Sequence, residues 1–472
     1  MKRFYKAVFV FLSCLFLSSQ VHASHIMGAD ITYTYRGTNS AGQMLYFVRL
    51  SFYRDCCNGC LVAGPSSLLS VMDSCTGTTY NYNMSNDSCP NGCEVVTLCP
   101  GQQSTCDNLA STFPGVEKYV DTVTIALPFS CANWTVSWTD GARNATISNL
   151  QNPSGQSIYI QATINNNINP STGLPYATNS VYFTKEPVPF ACLNNTGVIT
   201  YSNGAVAPIG DSLVYTLINP LTAANSPIAH TPGYTSTQPI LSSPPVTFSP
   251  TTGIMEFQPT QTEVDVITFL VQQYLNGVLV SSVMRDVQLT IINCSLPAPP
   301  NDGAPFNLVN ADTSGGEIKV CPGTTDSFDI AFVDPNGRNV TLTSDINGIV
   351  SSLPGATFYQ TGTGDSVLAH IIWTPTSADT GCHSFEVDVA TDDCPIPGSS
   401  VKSYTICVLT KVTVAPHSII YCGTPIHLTA TGGSNATWTP ITGLTFPNGI
   451  YQPLAAPSVT TLYTFTSDCG SD

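Results

Sequence analysis

Apolar and polar residues alternate in short runs along this chain, and one arrangement of them occurs twice. Residues 371–390 read IIWTPTSADTGCHSFEVDVA: a strand pattern, a break at Trp373-Thr374-Pro375-Thr376, and a second strand pattern. Residues 254–273, IMEFQPTQTEVDVITFLVQQ, follow the same scheme. Phe257-Gln258-Pro259-Thr260 and Phe269-Leu270-Val271 stand 116 positions before Trp373-Thr374-Pro375-Thr376 and Phe385-Glu386-Val387. The preceding turns align at an offset of 127, Val206-Ala207-Pro208-Ile209-Gly210 against Val333-Asp334-Pro335-Asn336-Gly337, and the Pro-rich loop 219–245 absorbs the difference of 11. Shared offsets over this length mark a repeated β module of about a hundred residues.

The runs 45–53, 120–126 and 403–409 are β-branched and aromatic and are bounded by Gly, Pro, Asn and Ser, while long amphipathic helices are absent from the pattern. The reading is an all-β chain, with tandem immunoglobulin- or cadherin-like sandwiches after a Cys-rich β domain. Pro187-Val188-Pro189 places one boundary, the stiff linker 296–305 a second, suited to a spacer between stacked modules, and Val414-Ala415-Pro416 a third. The expected units are a signal peptide 1–23, the Cys-rich domain 24–187, modules 188–295 and 306–410, and an incomplete immunoglobulin- or PKD-like module 417–472. In the last unit Cys422, Trp438 and Cys469 stand in immunoglobulin order, with Ser467 where a tyrosine is expected. Only 56 residues run from His417 to the end, and the strand pattern 460–466 reaches Cys469 where a further strand should follow. That module is expected to be less stable than the repeats.

The leader changes the picture most. Lys2, Arg3 and Lys6 precede the apolar run 7–17, and Val21-His22-Ala23 suits cleavage after Ala23, so the mature chain is expected to start at Ser24 and to be exported. Cys14 lies inside the apolar run and fits a lipid anchor poorly. No later stretch has the ~18 continuous apolar residues of a membrane helix. Without the leader, 11 basic residues remain against 30 acidic ones, a net charge of −19, which disfavours nucleic acid as a partner.

Seventeen of the 18 cysteines follow the leader, nine of them between Cys56 and Cys131, and export favours their oxidation. Cys57-Asn58-Gly59-Cys60 and Cys89-Pro90-Asn91-Gly92-Cys93 have spacings that also suit a zinc site, but turn disulfides are preferred and no metal or cofactor is expected. The module alignment pairs Cys192 with Cys294 and Cys321 with Cys407, leaving Cys382 and Cys394 to bridge a hairpin. Cys422 with Cys469, and Cys56, Cys75, Cys99 and Cys106, complete the disulfide candidates. His25, His230, His370, His383, His417 and His427 join no nucleophile or metal pattern, and Asp392-Asp393 marks a hairpin tip, so no catalytic residue is assigned.

A further set of residues resembles a known family. His25-Ile26-Met27-Gly28-Ala29-Asp30-Ile31-Thr32-Tyr33, then Val48 to Cys56, Cys99-Pro100, Ser104-Thr105-Cys106, Pro114 to Tyr119, Cys131-Ala132-Asn133-Trp134, Ala142 to Ile147, Pro187 to Phe190 with Cys192, Asn203-Gly204-Ala205 and Gly210 to Tyr215 resemble the opening of large surface proteins of gliding bacteria. The resemblance covers roughly residues 25–220. It implies a multi-module β protein exported by the type IX system to the cell surface, anchored through a C-terminal sorting region, without catalytic residues. It also implies O-glycan acceptors at Asp121-Thr122-Val123, Asp211-Ser212-Leu213 and Asp365-Ser366-Val367. Two departures stand out. The family's acidic loop is reduced to Ala207-Pro208-Ile209-Gly210-Asp211 and Asp334-Pro335-Asn336-Gly337-Arg338, too poor in oxygen ligands for calcium. Gly141 and Ala142 replace cysteines, so the usual partner of Cys131 is expected to be missing. The function expected is a non-enzymatic surface adhesin or structural stalk binding surface glycans or proteins. The alternative is the carbohydrate-binding part of a larger secreted enzyme, with Tyr33, Tyr35, Tyr80 and Tyr82 as candidate aromatics; a secreted hydrolase ranks third.

Overall fold

A computed structural model describes residues 26–56, 67–95, 98–187, 190–194, 196–207, 211–295, 297–313, 317–348, 351–417, 424–433 and 435–472. The fold is all-β. The first unit contributes β1 (Ile26–Thr38), β2 (Met44–Asp55), β3 (Leu68–Asp73), β4 (Thr79–Asn83), β5 (Ser85–Glu94), β6 (Val116–Leu127), β7 (Trp134–Ala142) and β8 (Ser157–Ile164). Alternation decides how they face. Met44, Tyr46, Val48, Leu50 and Phe52 of β2 point into a core shared with Trp134, Trp138 and Ile160, and the intervening residues of β2 form the opposite face of the sheet.

The first repeat is not a separate body. Its strand Val278–Ile292 lies in the middle of a 14-stranded sheet, between β8 and β1, so the sheet runs across the boundary that Pro187 and Pro189 suggest. One edge of this strand pairs along its length with Val264–Leu275. The other edge is divided among β8 at Ser281 to Val283, β1 at Arg285 to Val287, and the parallel strand Phe190–Cys192 at Thr290 to Ile292. With both faces covered, the strand is buried continuously from Val280 to Leu289. Tyr201, Leu217, Phe257, Phe269 and Leu289 form the repeat's own core beside it.

Burial on both faces makes the polar residues of this strand expensive unless they are paired. The fully buried Asp286 carboxylate receives a bidentate pair from Arg143 at 2.9 and 2.8 Å and a third bond from the Thr268 hydroxyl at 3.0 Å. Arg143 comes from the loop after β7, so the ion pair stitches the first unit to the repeat. Gly28 of β1 lies against the same point: a Cβ there would stand 2.2 Å from the Asp286 carbonyl oxygen. Only glycine lets β1 approach the central strand this closely.

The second repeat is a sandwich of two sheets. Asp326–Val333 and Ser366–Trp373 are paired in one, and Gly381–Thr391 and Ser399–Val408 in the other. Phe328, Ile330, Phe332, Ile371, Trp373, Phe385 and Val387 point between them, the alternate positions of their strands. The linker before this repeat is docked rather than a free spacer. Asn301–Asp302 adds to the first sheet, and the Ala298 carbonyl accepts from Asn336 Nδ2 at 3.2 Å and from Arg338. Across the same junction Lys185 binds Glu386 and Asp388, and the Val401 amide donates to the Thr200 hydroxyl at 3.0 Å. Among its described residues the last unit has three small sheets around Val412, Leu428, Trp438 and Phe465, a core smaller than that of either repeat.

Three outcomes follow from this packing. Asp286→Asn strands Arg143 and is expected to cost about 3–5 kcal/mol in urea unfolding, whereas an apolar replacement of both Arg143 and Asp286 recovers much of that loss. Gly28→Ala, which cannot keep the 2.2 Å approach, is expected to cost about 1–3 kcal/mol by the same measurement. The third concerns pH. Burial pushes the Asp326 carboxyl up to about 7 and that of Asp345 up to about 6. Folded values above the unfolded value near 4 mean that their neutral forms favour the fold. This contribution is complete below pH ~4, declines as the pH rises and is gone above ~7. Thermal unfolding between pH 4.5 and 7.5 should therefore show a shallower decline in Asp326→Asn than in the native chain.

Candidate functional site

The cysteines are the residues singled out from sequence, and the structure joins fourteen of them in seven bridges among the described residues. Cys192 pairs with Cys294, the pairing the module alignment gives. The other repeat pairings differ. Cys382 and Cys407 are direct cross-strand neighbours and bond to each other. Cys394 lies beyond the far end of that strand, about 30 Å along at ~3.3 Å per residue, so it cannot reach Cys382. It bonds Cys99 of the first unit instead. Cys321, at the end of Ile318–Val320, pairs with Cys469 and ties the second repeat to the last unit, which displaces both the Cys321–Cys407 and the Cys422–Cys469 expectations. Cys422 lies outside the described residues, as do Cys57 and Cys60. Cys56 bonds Cys106, Cys89 bonds Cys93, and Cys131 has a partner after all in Cys75. The clusters of potential metal ligands, Glu317 with Cys382 and Cys407 and Asp468 with Cys321 and Cys469, are each built on a closed disulfide.

The remaining sequence candidates are engaged locally. Asp334 receives the amides of Asn336 and Arg338 at 2.8 and 3.2 Å and the Arg338 guanidinium, so a cation from the chain itself occupies the turn. Although burial opposes it, these bonds hold the Asp334 carboxyl below its ordinary value. His370 bonds Asp329 at 2.6 Å, while His383, on the opposite sheet, bonds the Asp379 carbonyl at 2.7 Å, so the two histidines do not converge. Asp392 receives the Asn339 amide at 3.0 Å from the turn that begins at Asp334, and Asp393 receives the Thr391 hydroxyl at 2.7 Å within its own hairpin. Tyr33 is buried edge-on against Tyr46, and Tyr80 packs against Trp134, so these aromatics serve the core. Of the acceptor tripeptides, Thr122 is buried within β6, while Ser212 and Ser366 are exposed.

A polar cleft of about 120 Å³ lies on the outer face of β1, β2 and β6, beneath the segment 182–186. The alternation that sends Val48, Leu50 and Phe52 into the core sends Arg49, Ser51 and Tyr53 the other way. Register places Thr32 and Asp30 of β1 beside Arg49 and Ser51, and Lys118 of β6 beside Tyr53. Arg285 enters from the central strand, its guanidinium 4.3 Å from the centroid of the Phe183 ring. It donates to the carbonyls of Asn203 and Lys185 at 3.0 and 2.8 Å and faces Asp30 at 3.4 Å. Burial, only partly offset by Arg285, pushes the Asp30 carboxyl up. Glu186 accepts from Tyr53 at 2.7 Å and pairs with Lys118; despite burial these contacts hold its carboxyl down. Burial pushes the Tyr53 phenol well up, so it stays a donor.

Arg49 differs from Lys118, Lys185 and Arg285 in forming no ion pair among the described residues. Its Nε, like that of Arg285, is buried without a hydrogen-bond partner. A second cavity, about 160 Å³ between the repeats, is lined by Tyr215, Trp373, Asp379 and His383, but Asp379 is already bonded by Thr376 and His383 by the Asp379 carbonyl. Sequence reasoning passed over Arg49, Lys118, Lys185 and Arg285. The available signal was their scarcity: four of only 14 basic residues, from segments distant in sequence, meet at one cleft.

No family model matches the chain, and no curated protein does. Solved structures similar to it include an ICAM-5 D1-D4 ectodomain fragment, at 11% identity over 93% of this chain and 94% of that one, with a TM-score of 0.22. The endo-fucoidan hydrolase MfFcnA4 of glycoside hydrolase family 107 is similar at 14% identity over 76% of this chain and 41% of that one, with a TM-score of 0.16. Domains 4 and 5 of the S-layer protein SbsC are similar at 10% identity over 45% of this chain and 98% of that one, with a TM-score of 0.13.

Proposed function

We propose that this chain is a secreted, non-enzymatic surface protein of adhesin or structural type, whose β units are joined into one tension-resisting scaffold. The observation that carries the reading is the placement of the disulfides. Cys99–Cys394 and Cys321–Cys469 connect different units, across 295 and 148 residues of sequence, rather than closing loops within one. Bridges between units keep their relative positions under load, a need of an exposed surface protein more than of a freely diffusing enzyme. Oxidised cysteines in this number suit an extracytoplasmic compartment, and among the described residues no helix is long and apolar enough to cross a membrane. The resemblance of residues 25–220 to surface proteins of gliding bacteria agrees with export by the type IX route and envelope attachment. A carbohydrate-binding role within a larger secreted enzyme is the second reading, favoured by the polar cleft under segment 182–186.

The purified chain is expected to bind cell surfaces or a defined subset of a glycan array while releasing no product from those glycans. Binding to neither, or release of cleaved glycan, refutes the adhesin reading. Replacing Cys99 and Cys394 together by Ser should leave each unit folded and, in single-molecule pulling, let the second repeat separate from the first unit at lower force and with a longer release of contour length than the bridged chain allows. An unchanged trace would remove the tension-resisting role.

A further inference from the structure

We propose that the cleft beneath segment 182–186 binds the anionic group of an acidic saccharide, with the Arg49 guanidinium as its charged partner. The other charges around the cleft are already matched. Lys118 pairs with Glu186, Arg285 faces Asp30, and Lys185 binds Glu386 and Asp388 of the second repeat. Among the described residues Arg49 forms no ion pair, the carboxylate its charge acts on, Asp30, being already faced by Arg285, and its buried Nε has no acceptor. A guanidinium presents a planar fork of donors that suits a carboxylate or sulfate. In a chain of net charge −16, an unpaired cation held inside a cleft is a local exception to the surrounding field.

The rest of the lining narrows the ligand. Thr32, Ser51 and Thr184 offer hydroxyls, and the carboxylates of Asp30 and Glu186 offer acceptors for ligand hydroxyls. Phe183 and Tyr182 supply the aromatic surface. Donors, acceptors and an aromatic wall around one cation fit a hydroxyl-rich anion better than a fatty acid, which needs an apolar lining. A space of about 120 Å³, about four waters, admits the charged end of one sugar residue and not a folded polymer. The ligand class therefore covers uronates and sulfated sugars, whose shared chemistry is an oxyanion on a polyhydroxylated ring. The saccharide identity rests on the reading of the chain as a surface-binding protein; the unpaired Arg49 does not.

Saturation-transfer NMR on the full chain tests the site, with glucuronate, galacturonate and glucose 6-sulfate as probes, glucose as the neutral control and inorganic sulfate as the simple anion. At least one acidic sugar is expected to bind about tenfold or more tightly than glucose and to weaken with added salt. Arg49→Ala should lower that affinity about tenfold or more, and Arg49→Lys, which keeps the charge without the fork, should fall between. Because Arg49 makes no ion pair among the described residues, the thermal midpoint of either variant should stay close to the native one, which separates lost binding from lost folding. Equal binding of glucose, native affinity in Arg49→Ala, or no binding of any acidic sugar overturns the proposal. Inorganic sulfate binding as well as the sugars overturns the saccharide assignment. Cell or glycan-array binding by a native chain that binds no acidic sugar refutes this site and leaves the surface-protein reading standing. Acidic-sugar binding in a chain that attaches to no surface does the reverse.

Discussion

The buried pair of Arg143 and Asp286 is the interaction on which the first two-thirds of the molecule depend. A strand covered on both faces and paired on both edges has no access to water, so a carboxylate on it survives only with charge-assisted bonds. Those bonds come from a loop of another unit, and that unit's β1 approaches close enough only because residue 28 is glycine. Pair and glycine together determine where the first unit meets the repeat. The ion pair need not be stabilising relative to an apolar core; its effect is to make alternative registers of the central strand costly, since a one-residue slip would bury both charges apart.

The same strand creates the cleft. Arg285, next in sequence to Asp286, points to the other face, where it is held by two carbonyls and stacked on Phe183. The core contacts of the sheet and the polar floor of the cleft are thus opposite sides of one pleat. The segment 182–186 closes the cleft because Lys185 and Glu186 reach in different directions, Lys185 to the second repeat and Glu186 to Lys118 and Tyr53. The docking of the second repeat and the shape of the cleft are therefore linked through one short segment.

Covalent bonds repeat this logic at larger scale. Cys99–Cys394 fastens the hairpin tip of the second repeat to the first unit, beside the network of Asp334, Arg338, Asp393 and the Ala298 carbonyl. The linker, rich in proline, lies against this network rather than extending freely. Arg338 supplies from within the chain the positive charge that holds the Asp334 carboxylate.

By itself the sequence determined the elements: period-two alternation gave the strands, the repeated offsets gave two related modules, and their opening and closing cysteines gave Cys192 with Cys294. These are local or near-periodic signals, because neighbours on one face of a strand recur every second residue. Residues 28, 142–144 and 187–190 were visible as a resemblance, but nothing in their spacing said that Gly28 and Arg143 meet at Asp286. The tertiary structure alone decided the sharing of strand Val278–Ile292, the bridges of Cys99, Cys321, Cys382 and Cys407, and the convergence of Arg49, Lys118, Lys185 and Arg285. Each of these depends on which strand edges lie side by side and on how the units fold back on one another. Edge pairing joins residues hundreds of positions apart with no periodic trace in the chain, and a cysteine's partner is set by distance in space rather than by order in sequence.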